Sequence, residues 1–308
     1  MKAYVFPGQG AQFTGMGHEL YEQNPKAKEL MDRADAVLGF KLTDIMFSGS
    51  EDDLKQTKVT QPAVFLHSVV LALTDPEFAP DMTAGHSLGE FSALVAAGAL
   101  DFESGLKLVS ARAQAMQKAC EAHPSTMAAV LALPDEKVEE ICAEVPGCVR
   151  AANYNCPGQV VISGEVEAID AACAKMKEAG AKRALKLKVG GAFHSPLMEK
   201  ANAEFAKLLK KLTFRKPHVP FYSNAAGGPL AEGESIRGAM LNQMTSPVRW
   251  DALMRSQAEA GIRSWLEVGP KAVLGKMVSC CLEPMGIESG SISVGLVNDL
   301  ESLEKING

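Results

Sequence analysis

The sequence lacks the patterns by which several classes of protein are recognised. Its seven cysteines form no C-x-x-C pair and no spacing with histidine that suits a metal ion, and their number is odd. No apolar run reaches membrane-spanning length, and residues 1–7 show no apolar segment of a signal peptide. We therefore expect a protein of the reduced cytoplasm, with no metal site and no membrane partner.

A nucleotide-binding loop is also missing. Gly8 and Gly10 follow the first predicted strand, but position 13 is Phe13, so the pattern G-x-G-x-x-G fails, and there is no G-K-[ST]. A net charge of −6 does not suggest a nucleic-acid partner. The charge is uneven, since residues 171–220 hold 12 Lys and Arg against 3 Asp and Glu. That segment is either a docking face for an acidic partner or a solvated helix and strand edge.

The stretch Gly85-His86-Ser87-Leu88-Gly89 has the pattern G-x-S-x-G of a nucleophile elbow, in which a strand ends, the chain turns sharply and a helix begins at the serine. A serine at a helix N-terminus lies beside unpaired backbone N–H groups that can hold an oxyanion. Residues 80–84 are a poor strand sequence, so a chance match in a surface turn is the alternative.

The composition and the order of predicted elements indicate an α/β fold. Apolar residues make up 47% of the 308 residues and charged residues 22%, which is typical of a globular protein with ample core. Helices are predicted over residues 20–38, 61–73, 88–97, 102–120, 196–211, 251–260 and 272–282. Strands at residues 3–6, 219–223 and 264–268 alternate with them, which favours a mostly parallel sheet covered on both faces.

Residues 127–189 have a different order of predicted strands and helices. Their predicted order is β-α-β-β-α-β, the ferredoxin-like arrangement. We therefore predict an α/β-hydrolase-like large domain, formed by residues 1–124 and 192–308, with a ferredoxin-like small domain inserted at residues 125–191.

Ser87 needs a general base, because a serine hydroxyl is a weak nucleophile at neutral pH. His194 is the best candidate, since it lies on a tight loop just before a helix that Ser195 caps and Pro196 begins. His67 lies inside an apolar helix and is expected to pack in the core, while His86 should point away from its neighbour Ser87. An ordinary α/β-hydrolase has its histidine near the C-terminus, so the mid-chain position departs from an esterase or lipase.

Arg112 is surrounded by apolar residues in the helix predicted over residues 102–120. An arginine in such a helix needs a partner, which is either a structural group or a substrate anion.

These motifs, taken in order along nearly the whole chain, resemble the malonyl-CoA:acyl carrier protein transacylase family. The matching segments are residues 6–10 (FPGQG), 60–63 (TQPA), 85–90 (GHSLGE), 112 (R), 155–159 (NCPGQ), 192–195 (AFHS) and 247–250 (PVRW). The sequence departs from the family at Ala11, Phe91 and Ala113, where Ser, Tyr or Trp, and Gly are usual. None of the three touches the implied chemistry.

The resemblance implies a role for each matched position. Ser87 accepts the acyl group, and His194 acts as general base and acid. The backbone N–H groups of Gln9 and Leu88 form the oxyanion hole.

Three further residues complete the implied site. Arg112 holds the malonyl carboxylate, and the backbone carbonyl of Gln243 orients His194 in place of an acid. Phe193 favours malonyl over methylmalonyl.

The implied reaction moves a malonyl group from malonyl-CoA to the phosphopantetheine thiol of an acyl carrier protein, through a malonyl-serine intermediate, in fatty acid or polyketide biosynthesis. It needs no cofactor beyond the CoA and phosphopantetheine that the substrates carry. We expect a monomer that docks an acidic carrier protein near Lys182, Arg183, Lys186 or Lys188. The alternatives are a serine thioesterase or esterase with the same Ser-His pair, and a non-catalytic docking module.

Overall fold

Strands and helices alternate along most of the chain in the computed structural model, which describes residues 1–287 and 289–307. The strands are β1 (Lys2–Phe6), β2 (Met82–Gly85), β3 (Ser125–Leu131), β4 (Val149–Cys156), β5 (Gln159–Glu165), β6 (Arg183–Lys186), β7 (Phe221–Ser223), β8 (Gly228–Leu230), β9 (Ser264–Val268) and β10 (Ser293–Val297). The α-helices are α1 (His18–Gln23), α2 (Pro25–Leu38), α3 (Leu42–Ser48), α4 (Glu51–Lys55), α5 (Thr57–Thr74), α6 (Gly89–Ala96), α7 (Phe102–Ala122), α8 (Asp135–Glu144), α9 (Val166–Glu178), α10 (Glu199–Leu209), α11 (Gly233–Asn242), α12 (Trp250–Glu259), α13 (Gly275–Leu282) and α14 (Leu300–Asn307). Short 3-10 helices cover Pro196–Met198, Glu283–Met285 and Ser289–Ser291.

The larger sheet has the strand order β10-β9-β1-β2-β7-β8. Its first five strands run parallel, and β8 is antiparallel to β7. The central strand β1 is buried over Ala3 to Phe6, because a parallel sheet has helices on both faces and each side chain is covered. The predicted mostly parallel sheet is confirmed, and β2 ends at Gly85, so Ser87 lies at the carboxyl edge of this sheet.

The smaller sheet lies within residues 125–186 and has the order β4-β5-β3-β6, with every neighbouring pair antiparallel. Helices α8 and α9 pack on it around a separate apolar core that includes Val138, Ile162 and Ile169. This is the ferredoxin-like arrangement, so the predicted β-α-β-β-α-β order is confirmed.

Strand β4 joins the smaller sheet to the rest of the molecule. The Tyr154 N–H donates to the Val248 carbonyl at 2.8 Å, and the Val248 N–H donates to the Ala152 carbonyl at 2.8 Å. The strand therefore forms a short parallel bridge with the loop before α12. This contact brings Asn155, near the end of β4, close to the elbow.

Helix α5 is buried along most of its length, and His67 packs inside it as predicted. Burial lowers the pKa of His67 to about 4, so this histidine is neutral. Among the described residues, no helix combines the length and the apolar character that crossing a membrane requires.

Several predicted boundaries are wrong for identifiable reasons. The helix predicted over residues 20–38 is two helices, because the extended Asn24 caps α2 with its side chain and Pro25 begins it. The helix predicted over residues 61–73 begins earlier, at Thr57, so Pro62 lies inside α5. Helices α3, α4, α11 and α14 and strands β8 and β10 were not predicted. The poor strand sequence before Ser87 nevertheless forms β2, because β1 and β7 supply hydrogen-bonding partners on both sides.

The helix predicted over residues 272–282 begins at Gly275. The buried Glu267 carboxylate accepts hydrogen bonds from the N–H groups of Val273, Leu274 and Gly275 at 2.8, 2.9 and 3.1 Å, which holds this stretch before the helix. One of its oxygens accepts two of these bonds.

We expect Glu267→Gln to lower the free energy of unfolding by about 1–3 kcal/mol, because one carboxylate oxygen becomes an amide NH₂ and leaves buried N–H groups unpaired. Urea unfolding followed by circular dichroism measures this. An unchanged midpoint and slope would contradict the proposed role of Glu267 in holding the start of α13.

Candidate active site

The turn between β2 and α6 presents Ser87. Ser87 has a φ of 53°, in the left-handed region that non-glycine residues rarely adopt. A Cβ on Gly85 would lie 1.9 Å from the Gly89 carbonyl carbon, and a Cβ on Gly89 would lie 2.0 Å from the Phe6 carbonyl oxygen. Both positions therefore require glycine, because the backbone passes too close for any side chain. The local geometry is that of a nucleophile elbow.

The structure brings Ser87 and His194 together across 107 residues of sequence. The Ser87 Oγ lies 2.7 Å from His194 Nε2. The other ring nitrogen, Nδ1, lies 3.1 Å from the Gln243 carbonyl oxygen and 3.0 Å from the Ser246 carbonyl oxygen. Since carbonyl oxygens only accept, Nδ1 carries the proton and Nε2 is free to accept the hydroxyl hydrogen of Ser87.

His194 is neutral at neutral pH. Burial is the main cause that lowers its pKa to about 3, and the positive charge of Arg112 lowers it further. His194 also has a positive φ of 57°, on the loop before the 3-10 helix Pro196–Met198, which the Ser195 hydroxyl caps. A neutral imidazole is the form that can take a proton from Ser87.

The two predicted oxyanion-hole donors lie at the elbow and at the loop after β1. Within the described residues, the N–H groups of Gln9 and Leu88 have no hydrogen-bond acceptor. A Cβ on Gly8 would lie 2.6 Å from the His86 carbonyl oxygen and 3.8 Å from the Leu88 nitrogen, so this loop packs directly against the elbow. Unpaired donors of this kind can bind a negatively charged oxygen.

Arg112, on α7, is fully buried, and its guanidinium contacts the Ser87 hydroxyl. Its Nη2 donates to Ser87 Oγ at 3.1 Å, its Nη1 donates to Gln61 Oε1 at 2.7 Å, and its Nε donates to Gln243 Oε1 at 3.2 Å. Burial lowers its pKa to about 10, so the guanidinium stays charged at neutral pH. A buried cation whose hydrogen bonds all go to neutral groups can attract an anion.

Phe193 is buried next to His194 and packs in the main apolar core. His86 turns away from Ser87, and its Nε2 lies 2.9 Å from Asn155 Oδ1 while its ring lies against Trp250. The predicted docking residues Lys182, Arg183, Lys186 and Lys188 are all exposed, on or beside the edge strand β6.

The site also contains Gln61, Glu90, Asn224 and Ser246, which were not among the candidates from sequence; the Ser246 carbonyl lies 3.0 Å from His194 Nδ1. The Gln61 side-chain oxygen accepts a hydrogen bond from Arg112, and the Asn224 side-chain oxygen accepts one from the Ser87 N–H. The Glu90 carboxylate accepts hydrogen bonds from the Asn224 N–H and from Gln243 Nε2. Gln61 and Glu90 lie in segments that carry the family resemblance, so the sequence contained a signal for them. Asn224 lies in no such segment.

A serine at a nucleophile elbow in contact with a histidine, at the edge of a mostly parallel sheet, is an arrangement that suits chemistry through an acyl-serine intermediate. Residues 3–300 match the acyl transferase domain family. Within this class, the chain belongs to the malonyl-CoA:acyl carrier protein transacylase family, as the resemblance implied.

The chain aligns with relatives of this family over nearly the whole length of both proteins. The chain is 40% identical over 281 residues to the malonyl CoA-acyl carrier protein transacylase of Bacillus subtilis (strain 168), which covers 90% of this chain and 89% of the relative. A crystal structure of an acyl carrier protein S-malonyltransferase from Vibrio cholerae has a TM-score of 0.92 at 38% identity, covering 99% of each chain. A malonyl-transacylase solved in complex with its type II polyketide acyl carrier protein has a TM-score of 0.93 at 37% identity, covering 100% of this chain and 99% of that one.

Proposed function

We propose that the protein transfers a malonyl group from malonyl-CoA to the phosphopantetheine thiol of an acyl carrier protein, with Ser87 as the covalent carrier. The observation that carries the proposal is the Ser87 hydroxyl group, which lies 2.7 Å from a neutral histidine and 3.1 Å from a buried guanidinium. The names of the relatives support the choice of both substrates.

In the first half-reaction, Ser87 Oγ attacks the thioester carbonyl of malonyl-CoA while His194 Nε2 takes its proton. Negative charge develops on the thioester oxygen, which the N–H groups of Gln9 and Leu88 would hold. Each such donor stabilises the transition state by about 3 kcal/mol. His194 then returns the proton to the sulfur of CoA, which leaves as a thiol and leaves malonyl-serine behind.

In the second half-reaction, the phosphopantetheine thiol of the carrier protein takes the place of CoA. His194 removes the thiol proton, the sulfur attacks the malonyl-serine ester, and the same two donors hold the oxyanion. The proton then goes to Ser87 Oγ as the ester bond breaks. This is a ping-pong transfer through a covalent intermediate.

Arg112 would select malonyl groups through their free carboxylate. A planar guanidinium can hold a carboxylate through two parallel hydrogen bonds. The carboxylate would replace partners that Arg112 has in the structure, of which Ser87 Oγ is one, since that oxygen becomes part of the ester. Phe193, beside His194, would disfavour a methyl branch on the malonyl group.

A carrier protein is the partner that this family resemblance implies, and one relative was solved bound to such a protein. We propose that it docks near Lys182, Arg183, Lys186 and Lys188. These side chains are exposed, and Lys186 forms an ion pair with Asp170 at 2.8 Å, which leaves the other three as the better candidates.

We expect the double variant Lys182→Glu, Lys188→Glu to weaken the apparent affinity for an acidic carrier protein roughly tenfold at low ionic strength, and less at high salt, because exposed charges are screened. Steady-state kinetics with varied carrier protein measures this. The control variant Lys28→Glu, Lys55→Glu changes the net charge equally on α2 and α4. Equal affinity of the wild type and the Lys182, Lys188 variant at low salt would disprove this docking surface.

We also propose that the protein acts as a monomer, in the cytoplasm, and without a cofactor of its own. All seven cysteines are free thiols, which supports a reducing compartment. Ser87, His194 and Arg112 supply a nucleophile, a base and a cation, which are the groups that thioester exchange requires.

Intact mass spectrometry of the protein mixed with malonyl-CoA tests the proposal. We expect the mass to rise by one malonyl group and to return to its starting value when a carrier protein with a free phosphopantetheine thiol is added. Release of free malonate without any thiol acceptor would favour the thioesterase alternative. Carrier-protein binding without an adduct and without hydrolysis would favour a non-catalytic docking module.

A further inference from the structure

Glu90 is a fully buried carboxylate in the first turn of α6, three residues after the nucleophile. Its Oε1 accepts a hydrogen bond from the Asn224 N–H at 2.8 Å, and its Oε2 accepts one from Gln243 Nε2 at 2.8 Å. Neither oxygen takes part in the two half-reactions described above. A charged group buried this deeply requires a reason, because removing it from water costs free energy.

The two residues bound by Glu90 are the ones that hold the backbone of Ser87. The Asn224 side chain accepts a hydrogen bond from the Ser87 N–H at 2.7 Å and donates one to the Gly85 carbonyl at 2.8 Å. Gln243 Nε2 donates to the Ser87 carbonyl at 2.7 Å. A residue with positive φ persists only where its surroundings hold it there, and these amides bind the peptide groups on both sides of Ser87.

Gln243 also contacts the two other reactive side chains. Its backbone carbonyl accepts from His194 Nδ1 at 3.1 Å, and its side-chain Oε1 accepts from Arg112 Nε at 3.2 Å. An ionised carboxylate only accepts, so Glu90 requires the NH₂ end of Gln243 to face it, and the oxygen end then faces Arg112. A reversed amide would place NH₂ against the guanidinium N–H groups.

We propose that Glu90 is a positioning residue that acts through Asn224 and Gln243. Its carboxylate holds Ser87 in its left-handed conformation and orients the Gln243 amide that holds Arg112. It therefore serves both the reactivity of the serine and the preference for malonyl. The second of these effects rests on the proposed function, whereas the first does not.

Protonation of the Glu90 carboxylate makes the reactivity of Ser87 depend on pH. The groups facing the carboxylate are Arg112 from α7, Gln243 after α11, and Ser223 and Asn224 at the end of β7. Burial raises the pKa of Glu90 to about 7, against the lowering effect of these neighbours. As the pH falls through 7, Glu90 gains a proton. One carboxyl oxygen then carries an O–H group that faces an N–H donor, either the Asn224 N–H or Gln243 Nε2, instead of accepting its hydrogen bond. His194, with a pKa of about 3, stays neutral over this range.

The reaction of Ser87 with an uncharged fluorophosphonate, followed by mass spectrometry, tests the first effect without using malonyl-CoA or a carrier protein. For the wild type we expect the rate constant to fall roughly tenfold from pH 8 to pH 5.5, with an inflection near 7. A profile that is flat over this range would overturn the proposal. This measurement needs no variant.

Glu90→Gln is the matching variant, and Glu267→Gln, which alters another buried glutamate bound to backbone N–H groups, is its control. For Glu90→Gln we expect a fluorophosphonate rate at pH 8 lower by roughly 10- to 100-fold, no inflection near 7, and a malonyl-to-acetyl loading ratio lower by about tenfold. The folded fraction of the Glu267→Gln protein should show the wild-type fluorophosphonate rate, the inflection near 7 and the wild-type loading ratio. A folded Glu90→Gln protein with a wild-type rate and loading ratio would overturn the proposal. Failure of malonyl loading in the wild type would instead refute the proposed function and leave the fluorophosphonate result interpretable.

Discussion

Replacing Ser87 with alanine is expected to abolish malonyl loading and to lower malonyl transfer by roughly 10⁴- to 10⁶-fold. The reason is that Ser87 Oγ is the hydroxyl that lies 2.7 Å from His194 Nε2, and the variant removes it. Without an oxygen to carry the acyl group, the remaining groups can bind the thioester and polarise it but cannot form the intermediate. Intact mass spectrometry after mixing with malonyl-CoA, together with a transfer assay, measures both effects.

Ser92→Ala, on the helix α6 that follows Ser87, provides a matched control. Ser92 is also fully buried, and its hydroxyl has no hydrogen-bond partner within the described residues, so its removal should leave folding and loading intact. A malonyl adduct on the Ser87→Ala protein would place the covalent chemistry elsewhere and would overturn the proposed mechanism.

Replacing Arg112 with alanine is expected to lower the ratio of malonyl to acetyl loading by about 100-fold or more. Removing one partner of a buried charge pair costs about 3–5 kcal/mol, because the other charge stays buried without a partner. Malonyl carries the carboxylate that loses its partner, whereas acetyl does not, so acetyl loading should fall much less. Competition between malonyl-CoA and acetyl-CoA, followed as serine adducts by mass spectrometry, gives the ratio directly.

Arg112 also binds Gln61, Gln243 and Ser87, so the alanine variant changes the site as well as the carboxylate partner. Arg112→Lys separates the two effects. It keeps the positive charge but cannot form two parallel hydrogen bonds, and we expect a loading ratio between those of the wild type and the alanine variant. If both variants keep the wild-type preference, Arg112 does not bind the malonyl carboxylate.

The local features of the elbow were predictable from sequence, because short-range sterics determine them. Gly85 and Gly89 permit a turn that brings backbone within 2.0 Å of where a Cβ would lie, and only glycine tolerates that approach at either position. Ser195 and Pro196 likewise have the capping and starting roles that their residue types favour. The order of strands and helices in the small domain follows from hydrophobic patterns over a few residues at a time.

The sequence by itself therefore determined the class of fold and, through an ordered set of motifs, the family, and it supplied Ser87 and His194 as the candidate nucleophile and base. Only the tertiary structure decided which distant groups meet. Met82–Gly85 forms a strand, although residues 80–84 are a poor strand sequence, because β1 and β7 pair with it. The Asn224 side chain reaches the Ser87 N–H across 137 residues of sequence. The role of Glu90 depends on Gln243, 153 residues further along the chain. The carboxylate, the two amides and the guanidinium of this network have no preferred spacing in sequence. Their interaction depends on distance and burial in the folded molecule, which are properties of the packed core rather than of any short segment.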